Sequence, residues 1–396
     1  MILHILAWSD LIIIICILRF GYGFALAAWN YDDTMKSKLL ILLFCIQAAA
    51  VAQSPKTENI FIITLDGLRW QELFTGADSL LVENKDFVRN TEVLKSGFWA
   101  NTPGERRKIL MPFFWSTVVA DGQLYGNRKY DNKVDCTNNM WFSYPGYNEI
   151  LCGFADDDNI NSNEKINNRN VTVLEFLNNL PEYRGKVAAF GSWDVFPFII
   201  NEERSGVPVN AGFEKAKGDN LTEREALLNV LQDEIPGPWG GVRLDAFTHH
   251  FALEHLKKKQ PRVLYIAYGE TDDFAHDGRY DEYLRSAHRT DQFIRDLWTW
   301  VQSQKNYKNK TTLIITTDHG RGTSPIETWR HHGDEITGAG QIWFAVLGPD
   351  TPPTGEQKNP AQIHQNQVAK TAAAFLGVEY RSDRNVGGVI STVIKN

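Results

Sequence analysis

Residues 61–69 read FIITLDGLR: five apolar or β-branched residues, one aspartate, then a glycine turn and an arginine. The run from Ile60 to Leu65 has no polar alternation, as expected of a strand buried on both faces. Asp66 then stands at its carboxyl end. The pattern recurs twice. Val263 to Tyr268 leads into GETDDFAH, which holds Asp272 and His276, and Leu313 to Thr317 leads into Asp318-His319-Gly320. In an open α/β sheet the carboxyl ends of parallel strands share one edge, and ligands bind there. Residues hundreds of positions apart are therefore expected at one place.

A fourth cluster, His331-His332-Gly333, follows the third, and Ser143 in WFSYPGYNE lies between the first and second. Three carboxylates and three imidazoles around a hydroxyl suit a two-metal site for phosphoryl chemistry. Asp272 and His276 are four apart, so one helical turn aims both at one ion. That spacing is also the reason to prefer Asp272 over its neighbour Asp273. His331 and His332 cannot point the same way from an extended segment; His332, before the glycine, is taken as the ligand. His249, His250 and His255 fall in mid-helix, where such spacings usually mark surface pairs. The expected cofactors are two divalent metal ions, zinc by preference, with manganese also served by oxygen and nitrogen ligands.

Alternating strand-like and helix-like segments predict a largely parallel sheet covered on both faces. Residues 76–142 are aromatic-rich and read as an irregular insertion over the active edge. Asp156 to Asn170 is polar loop, Val171 to Leu180 a helix, and Lys186 to Gly191 a strand. Thr222-Glu223-Arg224-Glu225 is a capping box opening a helix through Leu231. A helix from about Leu244 to Lys258 precedes the Val263 strand. Leu284, Ala287, Ile294, Leu297 and Val301 share one face of a helix over about 281–304. Gln341 to Leu347 reads as a strand and Val368 to Leu376 as the closing helix. The three ligand-bearing strands should be interior.

The first 52 residues are separate. Met35-Lys36-Ser37-Lys38, the apolar run Leu39 to Ile46 and the small-residue site Ala50-Val51-Ala52 make a three-part secretory signal peptide over 35–52. Residues 1–34 then read as a non-native extension or an anchor; their apolar run Leu11 to Leu18 is shorter than the roughly 20 residues of a span. Residues 53–396 form the catalytic domain, expected in a periplasmic or secreted setting. The formal charge of −7 argues against a nucleic-acid partner, and no stable membrane partner is expected; the partner is a small phosphorylated substrate. Lys257-Lys258-Lys259 is a solvated helix end. Cys136 and Cys152 remain after the leader, a pair able to bridge in an oxidising compartment. Asn170, Asn220 and Asn309 open glycosylation sequons, relevant only in a eukaryotic host.

From about Ile60 to Gly377 the chain resembles the alkaline phosphatase superfamily, closest in motif to its nucleotide pyrophosphatase/phosphodiesterase branch and to cofactor-independent phosphoglycerate mutases. Asp66-Gly67-Leu68-Arg69, Asp272 to His276, Asp318-His319-Gly320 and His332-Gly333 carry the likeness. It implies an alkaline-phosphatase-like three-layer α/β/α sandwich. By the family's division of labour, Asp272, His276 and His332 would hold one metal, and Asp66, Asp318 and His319 the other. Ser143 would be the nucleophile, bound to the second metal. The phosphodiesterases have Thr-Phe-Pro-Asn where this chain has Ser143-Tyr144-Pro145-Gly146. The mutases have Gly-His where Gly146-Tyr147 stands. The sulfatase pattern is met at Ser143 and Pro145, with Tyr147 in the arginine's place. Asn148 and Arg69 are candidates for substrate contacts. The expected function is a secreted two-metal phosphoric ester hydrolase acting through a phosphoseryl intermediate. The alternatives are a mutase-like phosphotransferase or isomerase, a sulfatase-like hydrolase, or a non-catalytic binding protein keeping the fold.

Overall fold

The computed structural model describes residues 56–395, and Pro55–Lys395 form one compact unit. The signal peptide and the extension before it lie outside the described residues. Eleven strands occur among those described: β1 Asn59–Leu65, β2 Gln123–Tyr125, β3 Asn132–Asp135, β4 Val187–Gly191, β5 Val209–Ala211, β6 Val263–Tyr268, β7 Thr311–Thr316, β8 Gln341–Ile342, β9 Phe344–Leu347, β10 Gly355–Glu356 and β11 Ala361–His364. Eight form the main sheet, ordered β10-β2-β9-β7-β1-β6-β4-β5, and β11-β3-β8 form a small second sheet.

The three expected ligand strands are indeed interior and adjacent. β1 pairs in parallel with β6 (Leu65 beside Tyr268) and with β7 (Thr64 beside Thr316). Within the main sheet only β9 runs antiparallel to its neighbours, β7 and β2. Along β1 the side chains alternate between two cores: Phe61, Ile63 and Leu65 enter one, Ile60 and Ile62 the other. Both faces are thus covered, which is why the strand shows no polar alternation. The helices Asp245–Lys259 and Tyr280–Ser303 lie on the first face, with all five predicted face residues of the latter fully buried. Ser143–Cys152, Val173–Asn179 and Val368–Phe375 cover the second.

Two expectations need correction. Residues 76–142 are far from irregular: Thr91–Phe98 and Pro103–Leu110 are helices, the latter opened by a Thr102–Glu105 capping box. Their β2 joins the main sheet, and Phe87, Phe113, Phe114 and Trp115 are buried in the first core rather than offered to a ligand. The stretch 341–347 is also two strands, not one. It breaks at Trp343, whose buried indole donates to Leu68 O at 2.8 Å and meets Phe114 edge to face. Ile342 pairs into the small sheet, Phe344 into the large one. Cys136 and Cys152 carry free thiols, so the possible bridge is not formed. Among the described residues no helix is long and apolar enough to cross a membrane.

Candidate metal centre

Because β1, β6 and β7 are parallel neighbours, their carboxyl ends deliver Asp66, the Glu270–His276 helix and Asp318-His319 to one spot. Asp66 N still bonds Tyr268 O at 2.9 Å, so the aspartate leaves the sheet with its position fixed. Gly67 then turns with φ +58°, and its N–H donates to Asp318 Oδ1 at 3.1 Å. His332 arrives on the 331–340 loop, tied to the Glu270–His276 helix by Arg330 Nη2 donating to His276 O at 2.9 Å.

All six proposed ligands meet there. His319 Nε2 lies 3.3 Å from Asp66 Oδ1 and 3.5 Å from Asp318 Oδ2. Its Nδ1 sits 2.9 Å from Gly320 O, which fixes the ring and points Nε2 inward. On the other side His276 Nε2 is 2.9 Å from His332 Nε2 and 3.3 Å from Asp272 Oδ2, and His332 Nε2 is 3.7 Å from Asp272 Oδ1. Donor atoms of Asp66, Asp318 and His319, and of Asp272, His319 and His332, each lie within 4.8 Å of one another. One imidazole nitrogen binds one ion, and the shorter distances assign His319 to Asp66 and Asp318. Asp66 Oδ1 and Asp318 Oδ2 are buried without a hydrogen-bond partner. Orphaned carboxylate oxygens facing an imidazole nitrogen are what a bound cation would satisfy, so the residues fit a divalent metal.

The electrostatics agree. Burial, with Asp272 nearby, pushes the Asp66 carboxyl well above the usual range. Burial and Asp66 do the same to Asp318. Asp272 goes the other way: burial opposes its ionisation, yet the Arg321 guanidinium, with His276 and His332, holds it well below the ordinary value. Burial, then His319, keeps His332 well below the usual imidazole range, in the neutral form a metal requires. Asp273, the rival to Asp272, belongs to neither ligand group; burial and Asp272 push it up to about 9.

Ser143 opens a ten-residue helix, Ser143–Cys152, with its hydroxyl 3.4 Å from His319 Nε2. A helix N-terminus favours developing negative charge there. The helix rides directly on Asp318: a Cβ at Gly146 would stand 2.4 Å from Asp318 O, so position 146 admits only glycine without a shift. One turn on, the Tyr147 hydroxyl donates to Asp66 Oδ2 at 2.8 Å, leaving Oδ1 for the centre. Buried Glu149 accepts from the backbone of Thr137 and Asn138, anchoring the segment that leads into Ser143.

Two predicted contacts are not brought to the site. Asn148 is buried behind the helix: its amide donates to Phe154 O, and its oxygen accepts from Asn168 and Asn170. Arg69 is buried in an ion pair with Glu72 and donates to Gly322 O. Both are structural here. His331 is exposed, and His249 stacks on Phe293 with its Nδ1 3.1 Å from Tyr268 OH, away from the ligands. Sequence reasoning missed Arg321, Arg330 and the role of Tyr147. Their one signal was adjacency, since Arg321 directly follows Asp318-His319-Gly320.

A family model described as Sulfatase matches residues 145–378, more than half of the chain. The chain belongs to the sulfatase family. This places it in the alkaline phosphatase superfamily of phosphoryl and sulfuryl hydrolases, whose members use divalent metals. For this sulfatase-family chain the match starts after Ser143, leaving both Asp66 and Ser143 outside it. No curated protein sequence matches. Solved structures share the fold at low identity. Alkaline phosphatase PafA is 10% identical with TM-score 0.54, over 87% of this chain and 100% of that one. A putative sulfatase from Bacteroides thetaiotaomicron gives 11% and 0.53, over 86% and 75%. The lipoteichoic acid synthase LtaP from Listeria monocytogenes gives 12% and 0.51, over 82% and 73%.

Proposed function

We propose that this chain is a two-metal phosphoric ester hydrolase with Ser143 as its nucleophile. One observation carries the reading: a hydroxyl at a helix N-terminus lies 3.4 Å from His319 Nε2, beside two ligand groups that share His319 and draw on Asp66, Asp318, Asp272 and His332, with His276 2.9 Å from His332. Asp66, Asp318 and His319 would hold one ion, and Asp272, His276 and His332 the other. Two divalent ions held there, zinc by donor type, would supply Lewis-acid stabilisation of the ionised hydroxyl and of charge on the phosphoryl oxygens. Ser143 Oγ attacks phosphorus and the ester oxygen leaves, giving a phosphoseryl chain. Water then displaces Ser143 Oγ from phosphorus, releasing phosphate and restoring the hydroxyl. The helix N-terminus favours the anionic oxygen in both steps. The substrate is a small phosphorylated molecule met outside the cytoplasm, a setting that rests on the signal peptide read at 35–52.

Sulfate-ester hydrolysis is the second reading, and the family match favours it. Against it stands Tyr147, which occupies the place of the motif's arginine and is committed to Asp66. The deciding test is hydrolysis of p-nitrophenyl phosphate, bis-p-nitrophenyl phosphate and p-nitrophenyl sulfate by the zinc-loaded chain. Turnover of either phosphate ester well above the sulfate supports the proposal. Preferential turnover of the sulfate overturns it.

A further inference from the structure

Arg321 is fully buried, yet its guanidinium is not spent on one ion pair. Nε donates to Gly67 O at 3.2 Å, beside Asp66 on the segment after β1. Nη2 donates to both the backbone oxygen of Asp272, at 3.0 Å, and its side-chain Oδ1, on the helix after β6. Nη1 donates to Arg330 O at 2.7 Å, two residues before His332. The arginine itself stands two residues after His319 on the segment following β7. One side chain therefore touches all three of the other ligand-bearing segments from the fourth.

The surroundings are shaped to admit it. A Cβ on Gly67 would stand 2.9 Å from Arg321 Nε and 3.0 Å from Asp272 Oδ1, so the glycine leaves room for the plane of the guanidinium. By engaging Oδ1 of Asp272, the arginine leaves Oδ2 facing His276. Only a planar fork of donors can reach three carbonyls and a carboxylate at once; an ammonium cannot.

We propose that Arg321 is a positioning residue for the metal centre, clamping the four ligand-bearing segments so that the ligands stand in place before any ion arrives. The proposal rests on the metal-centre reading above. Partners that orient ligands typically change metal affinity by about 10- to 100-fold when removed. The test is zinc affinity of the purified chain, by competition with a chelator, for the parent protein, Arg321→Gln and Arg321→Lys. The thermal midpoint of each is also recorded with and without zinc. The expected result is two zinc ions in the parent and at least about tenfold weaker binding in Arg321→Gln. The zinc-induced rise in midpoint should shrink in step, with Arg321→Lys recovering only part of it. A merely structural arginine would lower the zinc-free midpoint while leaving zinc affinity and the zinc-induced rise unchanged, and that result overturns the proposal. Should Arg321→Gln fail to fold, Arg321→Lys decides alone: weaker zinc binding supports the clamp, and parental affinity overturns it. A parent chain that takes up no zinc would instead overturn the metal centre itself.

Discussion

The two sides of the centre are built from similar donors but differ in their surroundings. On the inner side Asp66, Asp318 and His319 are buried, two carboxylates are crowded together, and each keeps an oxygen without a partner. On the outer side Asp272 is already neutralised by Arg321, and His276 has a side chain 43% exposed. The inner side is an acidic cradle that a cation completes. The outer side is satisfied by the protein's own charge and opens to solvent. An ion held inside should therefore be integral to the fold at that edge, whereas an ion held outside should exchange more readily.

Ser143 is the sharpest instrument for separating chemistry from assembly, because it borders the inner side without contributing charge. Ser143→Ala is expected to cut turnover by more than about a thousandfold while zinc stays near two per chain. Full activity in that variant would remove Ser143 from the mechanism. Next in size is the contrast between the two sides. Asp318→Ala should abolish inner-site binding and leave about one zinc per chain. His276→Ala should weaken the outer ion without displacing the inner one. Metal analysis after dialysis against buffered zinc reads both, and equal losses from the two variants would erase the distinction.

The same asymmetry explains what the sequence could reveal. The candidate ligands at strand ends were legible because buried parallel strands announce themselves as apolar runs, and the residue at the end of each run is then placed by topology alone. Asp66, Asp318 and His319 follow directly. Asp272 was preferred to Asp273 through helical spacing, and the ligand groups hold Asp272 only. Asn148 and Arg69 failed for a different reason. Each lies beside a motif residue in sequence but on another face of its helix or turn, and proximity along the chain says nothing about facing. Arg321 and Tyr147 were not legible because their roles depend on which carbonyls and carboxylates three other segments bring within reach. In the 76–142 region a Thr–Pro–Gly–Glu capping signal was present at 102–105 but was hidden by the aromatic composition.

A moderate effect is expected where the nucleophile helix meets the inner side. Gly146→Ala places a methyl 2.4 Å from Asp318 O, between two backbones rather than against a flexible side chain. The cost is about 1–3 kcal/mol of stability, seen as a lower urea midpoint, together with slower turnover as Ser143 is lifted from His319. Parental stability and turnover would show that the helix has slack.

The two sides should also titrate in opposite directions. In the zinc-free chain the raised Asp66 and Asp318 carboxyls give stability that is complete below the unfolded carboxylate value of about 3.9 and lost as pH rises through their folded values. Asp272, held low, gives stability present above that unfolded value and lost as pH falls through its folded one. Zinc must displace the inner protons, so its affinity should rise with pH. Asp318→Asn mimics the protonated acid and keeps an oxygen for Gly67 N–H. It should flatten the zinc-free decline in thermal midpoint as pH rises above about 4. An unchanged slope would mean that Asp318 is not held protonated.

The smallest expected effect is the most local. Tyr147 is fully buried, packs edge to face on Phe196 at 4.7 Å, and makes one hydrogen bond, to Asp66 Oδ2. Tyr147→Phe keeps the ring and the packing and deletes only that donor. A buried hydrogen bond contributes about 0.5–1.5 kcal/mol, and about 1.5–3 kcal/mol once its acceptor is ionised, as zinc would make Asp66. Here the loss divides between the folded chain and the ion, because a freed Oδ2 can also turn inward. Inner-site zinc should bind up to about tenfold more weakly, while the outer ion, on the far side of His319, keeps its parental affinity. Equal weakening of both ions would show that the two sides are coupled through Asp66. Unchanged binding at both would show that burial alone fixes the orientation of that carboxylate.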